Sequence, residues 1–147
     1  MVKIPMKILL VDDEKDFVEM LSLRLGETGE KVTPAYNGKE CIQILEKAPI
    51  DVVILDIKMP GMDGIEVLKE IKKRFPLVEV IMLTGHGTAE TAVQGMKLGA
   101  FDYLLKPADF DDLRKKTEDA WKRKEEHEER IRKAEAKLLM RKSGGVA

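Results

Sequence analysis

Four apolar segments of this sequence each end in side chains that could handle a phosphoryl group: Asp12-Asp13, Asp56, Thr84 and Lys106. Three carboxylates brought close together repel one another, so at least one of them is expected to have a raised pKa. A divalent cation would relieve that repulsion, and Mg2+ binds carboxylate oxygens while keeping some of its own waters. Asp56 could then act as the nucleophile that forms an aspartyl phosphate. Thr84, a neutral donor, and Lys106, a compact positive charge, would stabilise the oxygens of the transferred group.

Each of these residues also has an ordinary structural explanation. Adjacent aspartates are favoured at helix N-termini by the helix dipole, and an aspartate after a strand can cap a turn. Threonine is a common strand residue, and a lysine is most often solvated. The chemical interpretation is favoured because all of these side chains would fall at one edge of a parallel sheet, where open α/β folds bind their ligands.

The predicted sheet is organised around Val52–Leu55, an apolar run typical of a strand buried on both faces. Met59-Pro60-Gly61 should turn the chain after it, because proline cannot donate to a strand ladder. Four more segments are predicted as strands: Lys7–Val11, Lys31–Ala35, Glu79–Thr84 and 100–106. Helical spacing of apolar residues follows each strand, so strands and helices alternate and the sheet should be parallel.

The helix boundaries follow from capping and stop residues. They are a stop at Gly26 to Gly29, a start at Asn37-Gly38, a helix from Gly64 to Phe75, and one between Thr88 and Gly99. Right-handed crossovers leave few topologies, and we predict an α/β fold with a doubly wound, five-stranded parallel sheet in the flavodoxin-like order 2-1-3-4-5 and an extended C-terminal helix. This order makes 31–35 an edge strand, as Pro34 requires, and brings the three aspartates together.

The C-terminal part of the chain is predicted to be a highly charged helix over 109–142. Residues 122–133 are all charged or histidine except Ile131. We expect residues 1–125 to form the domain and residues 126–147 to form a helical extension with a frayed end at 143–147. The heptad positions that would face a partner helix are polar in the middle of this helix, which argues against a strong coiled coil. Two interpretations stay open, a solvated single helix and a weak homodimer linked to phosphorylation.

The composition narrows the function classes. The 147 residues carry a net charge of −1, which gives no support for nucleic-acid or membrane binding. A single cysteine, Cys41, excludes an internal disulfide and is expected to be a small apolar residue on a helix face. No Cys/His pattern resembles a zinc site, and no signal-peptide or membrane-spanning pattern occurs. We therefore expect a cytoplasmic protein.

Four motifs together resemble the receiver domain of two-component response regulators: Val11-Asp-Asp-Glu14, Leu55-Asp-Ile-Lys-Met-Pro-Gly-Met-Asp-Gly64, Leu83-Thr-Gly-His86 and Lys106-Pro107. The resemblance covers about residues 6–125 and is closest to receivers of nitrogen-regulation-type transcription factors. It implies that Asp56 is the phospho-acceptor, phosphorylated by a sensor histidine kinase, a phosphotransfer protein or a small phosphodonor. It also implies a Mg2+ ion held by Asp13, Asp56, the backbone carbonyl of Lys58 and, mostly through water, Asp12.

The resemblance further implies how a signal leaves the pocket. Thr84 and Lys106 would contact the phosphoryl group, and Tyr103 matches the switch aromatic that turns inward when the threonine moves toward the phosphate. His86 would border the phosphate. A downstream protein would bind the fourth helix, fifth strand and fifth helix (the α4-β5-α5 surface) or the C-terminal helix. No ATPase or helix-turn-helix segment follows, so direct DNA binding is not expected, and the chain would be a switch rather than an enzyme.

Three other classes of protein share parts of this pattern. A flavodoxin has the same fold, but no Ser/Thr/Gly-rich phosphate loop follows the first strand, and Asp12-Asp13 would repel the FMN phosphate. A phosphatase with an aspartate nucleophile would need a second acid two residues later, where this chain has Lys58. An interaction module with an inert pocket would leave the five polar residues without a use.

Overall fold

The computed structural model describes residues 4–59, 62–85 and 87–144, with the backbone alone described at Met62, Ser143 and Gly144. Five parallel strands form the central sheet: β1 (Lys7–Val11), β2 (Lys31–Ala35), β3 (Val52–Leu55), β4 (Glu79–Thr84) and β5 (Asp102–Leu105). Their order across the sheet is β2-β1-β3-β4-β5, which confirms the predicted doubly wound topology. The strand that contains Pro34 lies at an edge, as predicted.

Five helices cover the two faces of the sheet: α1 (Lys15–Glu27), α2 (Gly38–Lys47), α3 (Gly64–Arg74), α4 (Ala89–Lys97) and α5 (Phe110–Gly144). The side chains of Asn37 and Thr88 accept hydrogen bonds from backbone N–H groups in the first turns of α2 and α4. Gly99 has a φ of +103°, a backbone conformation that favours glycine and follows the end of α4. These predicted helix starts and stops are confirmed.

Side chains alternate along the strands and divide the core into two layers. One layer, packed against α2 and α3, contains Leu9, Val11, Val53, Leu55, Val80 and Met82. The other, packed against α1 and α5, contains Ile8, Leu10, Val52, Ile54, Ile81 and Leu83. Burial of both faces explains why the central strands are apolar throughout.

Three details differ from the predictions. β5 is shorter than the predicted 100–106, so Lys106 lies beyond its end, in the segment that leads to α5. Lys58–Met59 pairs antiparallel with Met62–Asp63, and segments this short have no periodicity from which to predict them. The predicted turn at Pro60-Gly61 lies outside the described residues. α5 continues through Gly144, so any frayed end begins later than the predicted residue 143 and falls outside the described residues.

The last helix extends beyond the body of the domain, as predicted. Its 35 residues correspond to about 52 Å at a rise of about 1.5 Å per residue. Leu113, Thr117 and Ala120 are buried against the rest of the chain, whereas every described side chain from Glu129 onward is exposed. None of the described helices combines the length and the apolar character needed to cross a lipid bilayer.

Candidate functional site

The carboxyl ends of β1 and β3 bring three aspartates into one pocket. These strands are parallel neighbours, and the backbone N–H of Asp56 donates to the carbonyl oxygen of Val11 at 2.9 Å. Asp12 and Asp56 are 1% and 3% exposed, whereas Asp13 is exposed. The three side chains each offer a carboxylate oxygen, and these oxygens lie within 4.8 Å of one another. The structure therefore assembles the acidic cluster that the strand order predicted.

The raised pKa expected within this acidic cluster is found at Asp12, where burial is its main cause. One of its oxygens accepts a hydrogen bond from the backbone N–H of Glu14 at 3.0 Å, and the other accepts from Lys106 Nζ at 2.5 Å. Burial nevertheless raises the pKa of Asp12, and the nearby charge of Asp56 adds to this effect, while the two hydrogen bonds and the charge of Lys106 oppose it. The Asp12 carboxylate is thus a buried charge that its present partners do not fully compensate.

The ammonium of Lys106 lies within 4 Å of both buried aspartates of the pocket. Its Nζ lies 3.7 Å from Asp56 Oδ2 and 3.6 Å from Glu14 Oε1, in addition to its contact with Asp12. Its backbone N–H donates to the carbonyl oxygen of Thr84 at 2.9 Å, which holds the start of the β5–α5 segment beside the end of β4. Burial opposes the charged form, but the hydrogen bond and charge of Asp12 and the charges of Asp56 and Glu14 raise the pKa of Lys106. Lys106 is therefore a firmly cationic group.

Thr84, at the end of β4, and Tyr103, in β5, both border Gly87. Thr84 is fully buried at the last position of β4. The Tyr103 hydroxyl is turned inward and buried, and it has no hydrogen-bond partner among the described residues. A Cβ atom placed on Gly87 would lie 1.3 Å from this hydroxyl oxygen and 3.0 Å from Thr84 Cγ2. The inward position of Tyr103 therefore depends on the absence of a side chain at residue 87.

The backbone around Asp56 is held by a close approach of α3. Asp56 Oδ1 accepts a hydrogen bond from the backbone N–H of Lys58 at 3.2 Å, and the N–H of Gly64 donates to the carbonyl oxygen of Ile57 at 2.8 Å. A Cβ atom on Gly64 would lie 2.4 Å from Ile57 Cα and 2.8 Å from the Asp56 carbonyl oxygen. Only glycine allows α3 to start this close to the segment that carries Asp56.

The donor set of the pocket suits a hard divalent cation. Two oxygens bound to one Mg2+ are at most about 4.2 Å apart, since each Mg–O distance is about 2.1 Å. The three carboxylate oxygens lie within 4.8 Å of one another, so a shift of less than about 1 Å, or one bridging water, would let them share an ion. Burial keeps the pKa of Asp12 raised even with Lys106 in contact, so added positive charge would stabilise its ionised form.

Three residues that shape the pocket were not predicted from the sequence. Phe17 has the helical spacing of an apolar residue of α1, yet the face of its ring also contacts Lys106, with Nζ 4.2 Å from the ring centroid. A side chain at Gly64 would meet the backbone of Asp56 and Ile57, and one at Gly87 would meet the ring of Tyr103, so both roles depend on the folded structure. His86, expected to border the phosphate, lies outside the described residues.

Comparisons with known proteins agree with this geometry. The family profile of the response regulator receiver domain matches residues 8–118. A putative NtrX-like response regulator of Rickettsia bellii is 44% identical over 108 residues, which are 72% of this chain and 23% of that protein. This chain thus spans about a quarter of the length of the curated relatives it matches, with 23% for the regulatory protein AtoC of Escherichia coli as well.

Two solved structures extend the comparison to the fold. A receiver domain from Clostridium thermocellum is 41% identical, with a TM-score of 0.77 over 82% of this chain and 97% of that one. A response regulator from Burkholderia pseudomallei, solved with a phosphorylated aspartic acid, a calcium ion and citrate, is 27% identical, with a TM-score of 0.71 over 74% of this chain and 64% of that one. Phosphorylation of an aspartate is general among such proteins. The chain belongs to the response regulator receiver domain family of two-component signalling.

Proposed function

We propose that this domain accepts a phosphoryl group on Asp56 in a Mg2+-dependent reaction and then presents an altered surface to a protein partner. The observation that carries the proposal is the composition of the pocket, in which the buried Asp56 carboxylate lies within 4.8 Å of two further acids and 3.7 Å from the ammonium of Lys106. The related Burkholderia structure, with its phosphorylated aspartic acid and calcium ion, supports the same chemistry here.

In the proposed reaction, an Asp56 carboxylate oxygen attacks the phosphorus atom of a phosphohistidine or of acetyl phosphate. A new O–P bond forms while the bond to the leaving nitrogen or oxygen breaks, and the leaving group keeps that electron pair. Lys106 is placed to move from Asp12 toward the oxygens of the incoming group, since its Nζ already lies 3.7 Å from Asp56 Oδ2. Thr84, at the end of the neighbouring strand, would donate its hydroxyl to another of these oxygens.

Asp13, Asp56 and the backbone carbonyl of Lys58 would hold the Mg2+ ion, with Asp12 bound mostly through water. When bound, the ion would neutralise charge on the carboxylates and on the incoming phosphoryl oxygens. Support comes from the spacing of the three carboxylate oxygens and from the raised pKa of Asp12. Lys58 would bind the ion through its backbone carbonyl, so its exposed side chain would take no part in metal binding.

The proposed signal passes from Thr84 through Tyr103 to the α4-β5-α5 surface. α4 is lightly anchored, because Gly95 is its single buried residue among those described. Val93, Met96 and Leu105 on α4 and β5 are exposed apolar side chains that a protein partner could cover. A shift of Tyr103 between inward and outward positions would change this surface directly.

The remaining assignments follow from the family and from the form of the chain. We propose a sensor histidine kinase or a phosphotransfer protein as the donor, and a downstream protein that binds the α4-β5-α5 surface or the C-terminal helix. We place the body of the domain at residues 1–125, since Lys124 is still paired with Asp51 at 3.0 Å. We further propose that residues 126–147 are an extension of this domain, and that the protein is a cytoplasmic switch, not an enzyme, and a monomer or a weak dimer.

The proposal is tested by incubating the protein with acetyl phosphate and Mg2+ and measuring its intact mass. We expect one phosphoryl group on the wild type, none on Asp56→Asn, and none on the wild type in EDTA. Asp109→Asn is the matched control, because Asp109 is exposed and its oxygen caps the backbone N–H of Asp112, a role that asparagine can also fill.

Two results would contradict the proposal. One is a wild type that stays unmodified with acetyl phosphate and with a phosphorylated kinase domain, and the other is an Asp56→Asn variant modified as fully as the control. Sustained turnover of a phosphate ester would instead favour the phosphatase interpretation.

A further inference from the structure

Besides its ion pairs with Asp56 and Glu14, Lys106 makes two further contacts in the pocket that differ in kind. Its Nζ donates to Asp12 at 2.5 Å, and it also lies over the ring of Phe17, 4.2 Å from the centroid. The lysine side chain is 14% exposed, so both contacts operate in a largely desolvated place. Phe17 belongs to the first turn of α1, and its ring is half-buried in the layer between α1 and α5.

These two contacts respond differently to the chemistry proposed for the pocket. An oxygen of Asp12 that binds a cation or its water shell is a weaker partner for Lys106. Lys106 must also turn toward Asp56, where a phosphoryl group would be attached. A lysine side chain is long and flexible, so the loss of its strongest contact would let it move away into solvent. The face of an aromatic ring attracts an ammonium group through its quadrupole, and this attraction does not depend on Asp12.

We propose that Phe17 is a positioning residue for Lys106. Its ring keeps the ammonium beside Asp56 while Asp12 exchanges the lysine for the divalent cation. This inference rests on the proposed function of Asp56, and it assigns to Phe17 a role that its place in the apolar stripe of α1 does not require. The role belongs to the ring face, so a leucine of similar burial would not replace it.

A matched control residue, Phe110, lies in the same core layer between α1 and α5. Phe110, at the start of α5, is also half-buried in this layer, and its ring lies under the guanidinium of Arg24, 4.1 Å from the centroid. Phe110→Leu therefore removes the same ring volume and a comparable cation–π contact. A cavity of about 50 Å3 adjoins both rings, so either site can tolerate a modest change in shape.

The first experiment compares the rates at which Phe17→Leu, Phe17→Tyr, Phe110→Leu and wild type are phosphorylated by acetyl phosphate at saturating Mg2+. We expect Phe17→Leu to react about three- to tenfold more slowly, which is the loss of one cation–π contact. Phe17→Tyr, which keeps an aromatic face, and Phe110→Leu should react at close to the wild-type rate. Equal slowing of Phe17→Leu and Phe110→Leu, or no slowing of Phe17→Leu, would overturn the inference.

The second experiment is independent of phosphorylation and of any substitution that could fail to fold. The ε-methylene protons of Lys106 are assigned by NMR in the wild type, first without metal and then with Mg2+ and beryllofluoride. We expect a ring-current upfield shift in both states, absent for the ε-methylene protons of Lys58, whose side chain is exposed. A shift that is missing, or that disappears when Mg2+ and beryllofluoride are added, would overturn the inference. Failure of the proposed function has a different signature, an intact shift in a protein that acetyl phosphate never modifies.

Discussion

The two ends of the same sheet both carry buried acids, but the charges around them differ. At the carboxyl end, the acidic pocket contains Asp12, Asp13 and Asp56, and in the described part of the chain Lys106 is the cation paired with them. At the amino end, a second group of residues, the amino-end cluster, contains three acids and three cations: Asp51, Glu79, Glu128, Lys72, Arg123 and Lys124.

Each acid of the amino-end cluster is paired with at least one cation. Glu79 is 2% exposed, and its two oxygens lie 3.2 Å from Lys72 Nζ and 3.2 Å from Arg123 Nε. Lys124 lies 3.0 Å from Asp51 and also pairs with Glu128. Because Arg123 and Lys124 belong to α5, these pairs fix the helix to the amino ends of β3 and β4.

The comparison shows what separates a buried ion-pair network from a binding pocket. Both contain acids at strand ends, and both bury most of the charge. The amino-end cluster is neutral, whereas the acidic pocket has three carboxylates and one ammonium. That shortage of positive charge, and not the presence of acids as such, indicates a place for a divalent cation.

The largest expected effect comes from a substitution at Gly64, which holds the backbone of the acidic pocket in place. The pocket depends on the backbone contact of Gly64 with residues 56 and 57, so Gly64→Ala should force α3 away from Asp56. We expect the free energy of unfolding to fall by about 3 kcal/mol, as for a severely overpacked position, and phosphorylation to be lost. Urea denaturation measures the first effect and intact mass the second.

Gly26→Ala is the control for this change. A Cβ atom on Gly26, inside α1, would have nothing within 4 Å. Alanine there should leave stability unchanged or raise it by up to about 1 kcal/mol, because it lowers the entropy of the unfolded chain. If Gly64→Ala were as stable as Gly26→Ala, the acidic pocket would not depend on the close contact between Gly64 and the backbone of residues 56 and 57.

The next effect tests whether the amino-end cluster stabilises the fold. Glu79→Gln keeps the shape of the side chain but leaves Lys72 and Arg123 without a full negative charge. We expect a loss of about 1–2 kcal/mol, below the usual cost of breaking a buried pair because the Arg123 side chain is 51% exposed. The loss should be the same with and without Mg2+, since the cluster lies at the opposite end of the sheet.

Glu66→Gln provides the matched control in a solvent-exposed pair. Glu66 and Lys69 are 65% and 48% exposed, so their ion pair should contribute less than about 0.5 kcal/mol. If both substitutions changed the urea midpoint equally, the amino-end cluster would be no more than a set of surface pairs.

The sequence predicted the acidic pocket, because its position depends on the order of the strands. Val52–Leu55 and the apolar residues of Glu79–Thr84 are typical of buried strands of a parallel sheet, and the residues after parallel strands meet at one edge. The convergence of Asp12, Asp13 and Asp56 could therefore be expected. The antiparallel pairing of Lys58–Met59 with Met62–Asp63 and the length of β5 could not be predicted, because no periodicity marks them.

The sequence could not predict contacts made by side chains from distant segments. The partners of Glu79 come from α3 and from α5, and nothing in the local sequence marks Arg123 as one of them. Phe17 has the spacing of a core residue, and its contact with Lys106 depends on where the β5–α5 segment passes. A glycine such as Gly87 shows its role once the neighbouring ring is placed.

A smaller effect is expected in the acidic pocket, where removing one charge should stabilise the metal-free protein. Asp13 is exposed, and no ion pair is described for it, so Asp13→Asn relieves repulsion without breaking a contact. We expect the metal-free protein to gain about 0.5 kcal/mol. Mg2+ should stabilise the wild type, by about 2.7 kcal/mol at one hundred times the dissociation constant, and should stabilise the variant much less at the same concentration.

Asp16→Asn is the control for this prediction. Asp16 is an exposed acid in the first turn of α1, where its charge favours the helix dipole. Its removal should lower stability slightly and leave the response to Mg2+ unchanged. A destabilised Asp13→Asn protein, or one with a full response to Mg2+, would contradict the view that the pocket lacks positive charge.

The smallest effect is the pH dependence that the buried charge of Asp12 imposes on the metal-free protein. Burial raises the pKa of Asp12 above its ordinary value of 3.8, so the folded state holds this proton more tightly than the unfolded state does. A raised carboxyl pKa contributes stability below the unfolded value, and that contribution is lost as the pH rises through the folded value. Lys106 remains charged over this range, because its own pKa is raised from 10.5. In EDTA, the stability of wild type relative to Asp12→Asn, measured by urea denaturation from pH 4 upward, should therefore fall as the pH increases. A relative stability that rises with pH would mean that Lys106 fully compensates Asp12, and the contrast with the amino-end cluster would then disappear.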